Sequence, residues 1–337
     1  MAIGYRLVPG RVLLLLVLLV VGTTNVVIAQ QNQSGPLVAT IVPADETPEF
    51  KIVKRVDEVN LRFTVTDSHG HFQNQLSSSD FSLLDNHQPP AAIHFFQQQS
   101  TLPMRVGILI DVSASVAAKF KVEQKAASIF LQKVLRPGYD EAFVVTFDKN
   151  VRLLEDWFSD PKTAFSKLYT LHAGGDTALY DAVSEGLHHL QYGHLEKKAL
   201  IIISDGGDNA SHLKYSQVLA QARQSRALIY SIGLLSSDGD EENPGLLQRL
   251  CKNTGGIAYF PRQGESVATV SAEIARDLRE QYTLGYIPQN LKNAAVFRKI
   301  EVKVSATIHG KLRVRARQGY SPAAETQPTE QLGPETR

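Results

Sequence analysis

Cysteine is nearly absent: the 337-residue chain holds one, Cys251. A single thiol cannot close an internal disulfide, and no CxxC pair exists to hold zinc or to run redox chemistry. With Leu247 and Leu250 beside it, Cys251 reads as a small buried core residue rather than a nucleophile. A surplus of charge of either sign is missing too. Lys and Arg number 35 against 34 Asp and Glu, and no dense basic stripe marks a nucleic-acid surface. The basic residues between Arg298 and Arg317 alternate with apolar ones and read as the wet face of a sheet. GxSxG, HExxH, GxGxxG and GxxxxGKS/T do not occur, which removes familiar hydrolase, zinc-protease and nucleotide-binding signatures. What remains is an ordinary globular composition, 43% hydrophobic, with length for one large or two ordinary domains.

Residues 1–29 have the form of an export signal. Arg6 and Arg11 flank the start, Val12 to Val21 is apolar, and Val27-Ile28-Ala29 precedes the polar Gln30-Gln31-Asn32-Gln33. The competing reading is an uncleaved membrane tether, because apolar character resumes at Val26. Thr23, Thr24 and Asn25 interrupt the run short of the ~20 residues a span needs. Either way the rest of the chain is expected outside the cytoplasm, periplasmic or extracellular. Export without paired cysteines suits a bacterial envelope protein.

Residues 30–49 read as a linker. Over 50–100 the pattern alternates with a period of two, as in Val59 to Val65, Phe81 to Leu84 and Ala92 to Phe96. From Val106 the rhythm changes to short apolar runs (106–110, 142–147, 199–203, 228–234) separated by helical patterns such as Phe120 to Val134 and Leu179 to Leu190. Residues 103–280 are therefore expected to form an α/β domain with a doubly wound, mostly parallel sheet. Period two returns at Tyr282 to Ile287, Ile300 to Val304 and Leu312 to Arg315. Residues 281–320 are expected to join 50–100 in one β-sandwich-like domain built from both ends of the chain. The Pro/Glu/Thr-rich stretch 321–337 reads as a disordered tail.

Three loops collect oxygen-bearing side chains. Asp111, Ser113 and Ser115 follow the first buried strand, Gly174-Gly175-Asp176-Thr177 precedes a helix, and Ser204-Asp205-Gly206 ends a later strand. Open parallel sheets place binding sites beyond such strand ends. Two carboxylates and three hydroxyls, without His or Cys, suit Mg²⁺ best, then Mn²⁺ or Ca²⁺, and not zinc. Two carboxylates only balance a divalent ion, which leaves it open to an acidic oxygen from outside. His188 and His189 lack the i, i+4 spacing of helical ligands. The stretch 236–243 reads as a solvated loop that resembles a calcium loop only superficially. Asp208 reads either as an orienting residue or as a turn.

DxSxS at 111–115, Thr177 and Ser204-Asp205-Gly206 resemble the von Willebrand factor type A domain over about residues 103–280. In that family such residues form the metal-ion-dependent adhesion site. The resemblance implies that Ser113, Ser115 and Thr177 ligate the metal, with Asp111 and Asp205 bound directly or through water. It also implies a protein partner that offers Asp or Glu to the ion. Ala114 and Val116 depart from the Gly and Met of many relatives, at positions that supply no ligand. The flanks, including Val65-Thr66-Asp67, Asp80-Phe81, Asp85, Gln281-Tyr282 and Gly285-Tyr286, are similar to an exported family seen largely in acidobacteria. The expectation is a non-enzymatic, exported adhesion or assembly module. Two other readings stand beside it: a structural envelope module with a vestigial site, and a Mg²⁺-dependent hydrolase using Asp111 or Asp176.

Overall fold

A computed structural model describes residues 26–30, 38–42, 58–99, 102–192, 197–235, 242–261, 267–289, 297–305 and 310–322. The chain divides into two compact units, 1–54 and 55–337. In the first, β1 (Val26–Gln30) pairs antiparallel with β2 (Val38–Val42). Strand β2 stands in the stretch read as a linker, where Val38, Thr40, Ile41 and Val42 are β-branched strand formers. The export-signal expectation over 1–25, the acidic loop 236–241 and the tail 323–337 lie outside the described residues.

The second unit opens with β3 (Val59–Thr66), β4 (Phe81–Asp85) and β5 (Ala92–Gln99). An alternating segment follows: β6 (Met104–Asp111), α1 (Phe120–Val134), β7 (Glu141–Phe147), β8 (Val151–Phe158), α2 (Lys162–Tyr169) and α3 (Leu179–His189). It continues with β9 (Lys197–Ile203), α4 (Tyr215–Gln224), β10 (Leu228–Ile232), α5 (Pro244–Thr254), β11 (Ala258–Tyr259) and α6 (Val267–Arg279). Strands β12 (Gln281–Ile287), β13 (Arg298–Val304), β14 (Arg313–Ala316) and β15 (Gly319–Tyr320) close the unit.

The central sheet runs β11-β10-β9-β6-β7-β8 and is parallel except for the edge strand β8. Its inner strands β6, β7, β9 and β10 are mostly apolar because both faces are covered, whereas the edge strand β8 carries Arg152, Glu155 and Asp156. Val106, Ile108 and Ile110 of β6 join a core with Phe130 of α1 and Ile274 of α6. Leu109, on the opposite face, joins Val183 of α3 and Leu247 of α5. This is the doubly wound, mostly parallel fold expected from the alternation. Cys251 lies in the second core, its thiol pushed up to about 12 by burial, and is the inert packing residue its neighbours suggested.

The flanking strands make two antiparallel sheets, β14-β3-β12-β5 and β15-β13-β4. Between them pack Leu61, Phe63, Leu83, Tyr282, Leu284, Tyr286 and Ile300. Strand β12 lies between β3 and β5, with Leu284 opposite both Leu61 and Phe96, so the two ends of the chain share one sheet. The matching period of two at both ends records this pairing.

One expectation fails here. The arginines between 298 and 317 do not all face water. Arg298 is 8% exposed and its Nε donates to Asp85 Oδ1 at 2.7 Å. Arg315 pairs with Asp277 of α6, whose Oδ2 also accepts the Tyr230 hydroxyl at 2.6 Å. Each guanidinium turns inward because a buried carboxylate would otherwise stand uncompensated.

Candidate functional site

From β6 the chain fills one side of the sheet with β7 and β8, then crosses to β9 on the other side. The strand order therefore reverses between β6 and β9, the place where an open α/β sheet leaves a crevice at its carboxyl edge. Ile110 stands opposite Ile203 in the register, so Asp111 and Ser204 emerge side by side into that crevice.

Asp111 is fully buried. Its Oδ1 accepts the Ser113 N–H at 2.9 Å and its Oδ2 accepts the Ser204 hydroxyl at 2.7 Å. Ser204 Oγ in turn accepts the Gly206 N–H at 3.0 Å. The hydroxyls of Ser113 and Ser115 lie 3.0 Å apart. Asp205 is 2% exposed, and its Oδ1 accepts the Gly207 N–H at 2.9 Å. Gly206 has φ +89°, and a Cβ there would meet the Asn243 carbonyl oxygen at 2.5 Å. Only glycine permits this turn after Asp205.

The third loop is tied to the other two through backbone bonds. The Ala114 N–H donates to Gly175 O, and the Gly174 N–H to Val112 O, both at 2.8 Å. The Thr177 N–H donates to Asn209 Oδ1 at 2.8 Å, while Thr177 O accepts the N–H groups of Asn209 and Ala210 at 3.0 Å. Asp111, Ser113, Ser115, Thr177 and Asp205 thus sit on three mutually bonded loops at one switch point. Asp176 is exposed. Asp208 caps α3 instead of orienting the site, accepting from the Tyr180 N–H at 3.1 Å and from Ser211 Oγ at 2.5 Å. His189 bonds Asp156 and stacks on Trp157, and His188 meets the Tyr192 hydroxyl, so both have structural partners.

Burial is the main force that lifts the Asp111 carboxyl to about 6. The hydrogen bonds from Ser113 and Ser204 oppose it, and the charge of Asp205 adds to it. Among the described residues no three His, Cys, Asp or Glu side chains are grouped to hold a metal. A cation here would rest on a mixed set, carboxylates with hydroxyls, which is the donor chemistry of Mg²⁺ and Ca²⁺. The set fits such an ion: two buried carboxylates of like charge with hydroxyl oxygens beside them form a surrounding that a divalent cation relieves.

Sequence reasoning passed over Glu123. It stands on α1 three residues after Phe120 and four before Ala127, inside the apolar stripe, and is 0% exposed. Neither of its carboxyl oxygens has a hydrogen-bond partner. Burial first, then the charges of Asp111 and Asp205, hold its carboxyl well above the usual carboxylate range, with Lys119 opposing. An acidic residue at a core position of an amphipathic helix was the available signal. Ser204 and Asn209 were also missed as supports, because their roles depend on which loops converge.

Residues 106–207 match the family model of the von Willebrand factor type A domain. An uncharacterized protein of Borreliella burgdorferi is 25% identical over 179 residues, covering 45% of this chain and 52% of that protein. The chain thus matches about half the length of that curated relative. Among solved structures, a von Willebrand factor type A protein from Catenulispora acidiphila is similar, with TM-score 0.47 and 13% identity over 72% of this chain and 73% of that one. The conserved hypothetical protein BatB of Bacteroides thetaiotaomicron gives a TM-score of 0.41 and 16% identity, covering 52% of this chain and 98% of that one. Proximal thread matrix protein 1 of the mussel byssus, with a zinc-occupied MIDAS motif, gives 0.41 and 15% over 56% and 48%.

Proposed function

The chain carries a von Willebrand factor type A domain, and from that premise we propose an exported, divalent-metal-dependent protein-binding module of the adhesion or assembly kind. Asp111, Ser113, Ser115, Thr177 and Asp205 would hold the ion, Mg²⁺ by preference, with Mn²⁺ or Ca²⁺ as substitutes. The observation that carries this reading is the bonded cluster of Asp111, Ser113, Ser115 and Ser204 at the strand-order reversal, with buried Asp205 beside it. When bound, the ion supplies an electrophilic position that an acidic side chain of a partner protein completes. The chain's own residues fix the loops through the hydrogen bonds that join them. Among the described residues no helix is long and apolar enough to cross a membrane, and the export proposal rests on the pattern of residues 1–29.

Immobilised full-length protein is expected to retain a partner from envelope extract in Mg²⁺ and to release it in EDTA. Asp111→Ala should retain none. Retention that ignores EDTA and the substitution would contradict the metal-grip reading and favour a structural module. Metal-dependent phosphoester hydrolysis lost in Asp111→Ala would favour the hydrolase.

A further inference from the structure

Glu123 has no structural account in the fold. It occupies a core position of α1, between Phe120 and Ala127, where an apolar side chain would pack without cost. Both carboxyl oxygens are buried and unpartnered. Such a group is disfavoured as an anion by desolvation, and as a neutral acid its O–H and C=O would still lack partners. The groups whose charges act on it are Asp111 and Asp205, which repel it, and Lys119, which attracts it. Lys119 is already engaged: its Nζ donates to Leu234 O at 2.9 Å and to Glu242 Oε1 at 3.4 Å. Three buried acidic groups therefore lie within electrostatic reach of one another, and the nearby cation is shared elsewhere.

Resting on the metal reading above, we propose that Glu123 is a third acidic residue of the site, acting on the ion from beneath through intervening water. Direct ligation is not required, in keeping with the absence of a three-carboxylate cage among the described residues. Groups of this kind, which hold the water and ligands around a metal, typically contribute 10–100-fold to its affinity. The consequence for function is specific. The site's negative charge comes from two ends, the loops at the sheet edge and the first turn of α1.

The test uses full-length wild type, Glu123→Gln and Glu123→Met, with Mg²⁺ and Mn²⁺ affinities from calorimetry and Tm in EDTA. Glutamine keeps the shape and removes the charge, while methionine also removes the polarity. The expected result is a metal-free Tm equal to or above wild type in both variants, with metal affinity reduced about 10–100-fold. A purely structural acid would shift Tm in EDTA and leave the metal Kd unchanged. Wild-type metal binding with equal binding by both folded variants overturns the inference alone. A wild type that binds no divalent ion overturns the metal reading itself, and this inference with it.

Discussion

Replacing Asp85 by alanine should destabilise the protein by about 3–5 kcal/mol, the usual cost of stripping one partner from a buried ion pair. Asp85 is 1% exposed at the end of β4. Its Oδ1 accepts from Arg298 Nε at 2.7 Å, and its Oδ2 accepts the hydroxyls of Tyr320 at 2.7 Å and Tyr286 at 3.0 Å. All three donors come from strands near the other end of the chain, so one carboxylate fastens both halves of the sandwich. Without it, the buried Arg298 guanidinium keeps its bond to Gln289 O, at 3.0 Å, but loses its counter-charge, and the Tyr286 and Tyr320 hydroxyls lose the carboxylate they donate to. Asp85→Asn keeps an acceptor oxygen and should cost less. Denaturant unfolding of wild type and the two variants checks this ordering. A loss under about 1 kcal/mol for Asp85→Ala, the level of an exposed pair, would show that the network does not hold the lobes together.

The second large effect is a pH-dependent stability tied to metal. Burial raises the Asp111 carboxyl from 3.8 to about 6, with Asp205 adding its charge. A raised carboxyl binds its proton more tightly in the folded state. Its contribution is complete below the unfolded value and is lost as pH rises through about 6, by up to about 3 kcal/mol. In EDTA, wild type should therefore lose stability between pH 4 and pH 7 relative to Asp111→Asn, which cannot titrate there. Saturating Mg²⁺ should restore most of that loss at pH 7 and little of it at pH 5, because the ion requires the ionised carboxylate. Glu123 is raised by burial first and then by the charges of Asp111 and Asp205, so the comparison is made in a Glu123→Gln background, where its own titration is removed from both proteins. Thermal unfolding across that range is the measurement. A wild-type-minus-variant difference that stays flat in EDTA would refute the assignment of Asp111 as a penalised buried acid.

Much of the fold was legible because burial writes directly into pattern. Strands covered on both faces contain unbroken apolar runs, Val106 to Ile110 in β6 and Ala199 to Ile203 in β9, and α1 shows its stripe from Phe120 to Val134. The candidate ligands were legible because three of them fall within five residues. Their convergence was legible only on the condition that the strands before Asp111 and Ser204 are neighbours, as β6 and β9 are. The charged interior was the least readable part. Asp85 stands before Asn86 and His87, whose φ values of 49° and 66° make a turn, so it reads as a turn residue. Its partners lie 201, 213 and 235 residues away. Alternation assigns Arg298 and Arg315 to a face but cannot say that Asp85 and Asp277 wait on it. Glu123 was hidden for the opposite reason, as one acidic residue inside a stripe otherwise read as core.

The central claim is that Asp111, Ser113, Ser115, Thr177 and Asp205 together hold one hard divalent ion. Electron paramagnetic resonance of free Mn²⁺, titrated into metal-stripped protein at pH 8, tests it most directly. The account predicts that wild type removes one Mn²⁺ per chain from solution, that Mg²⁺ displaces it, and that Ser113→Ala and Asp111→Asn remove none. A free-ion signal that rises identically with wild type and with the variants would contradict it.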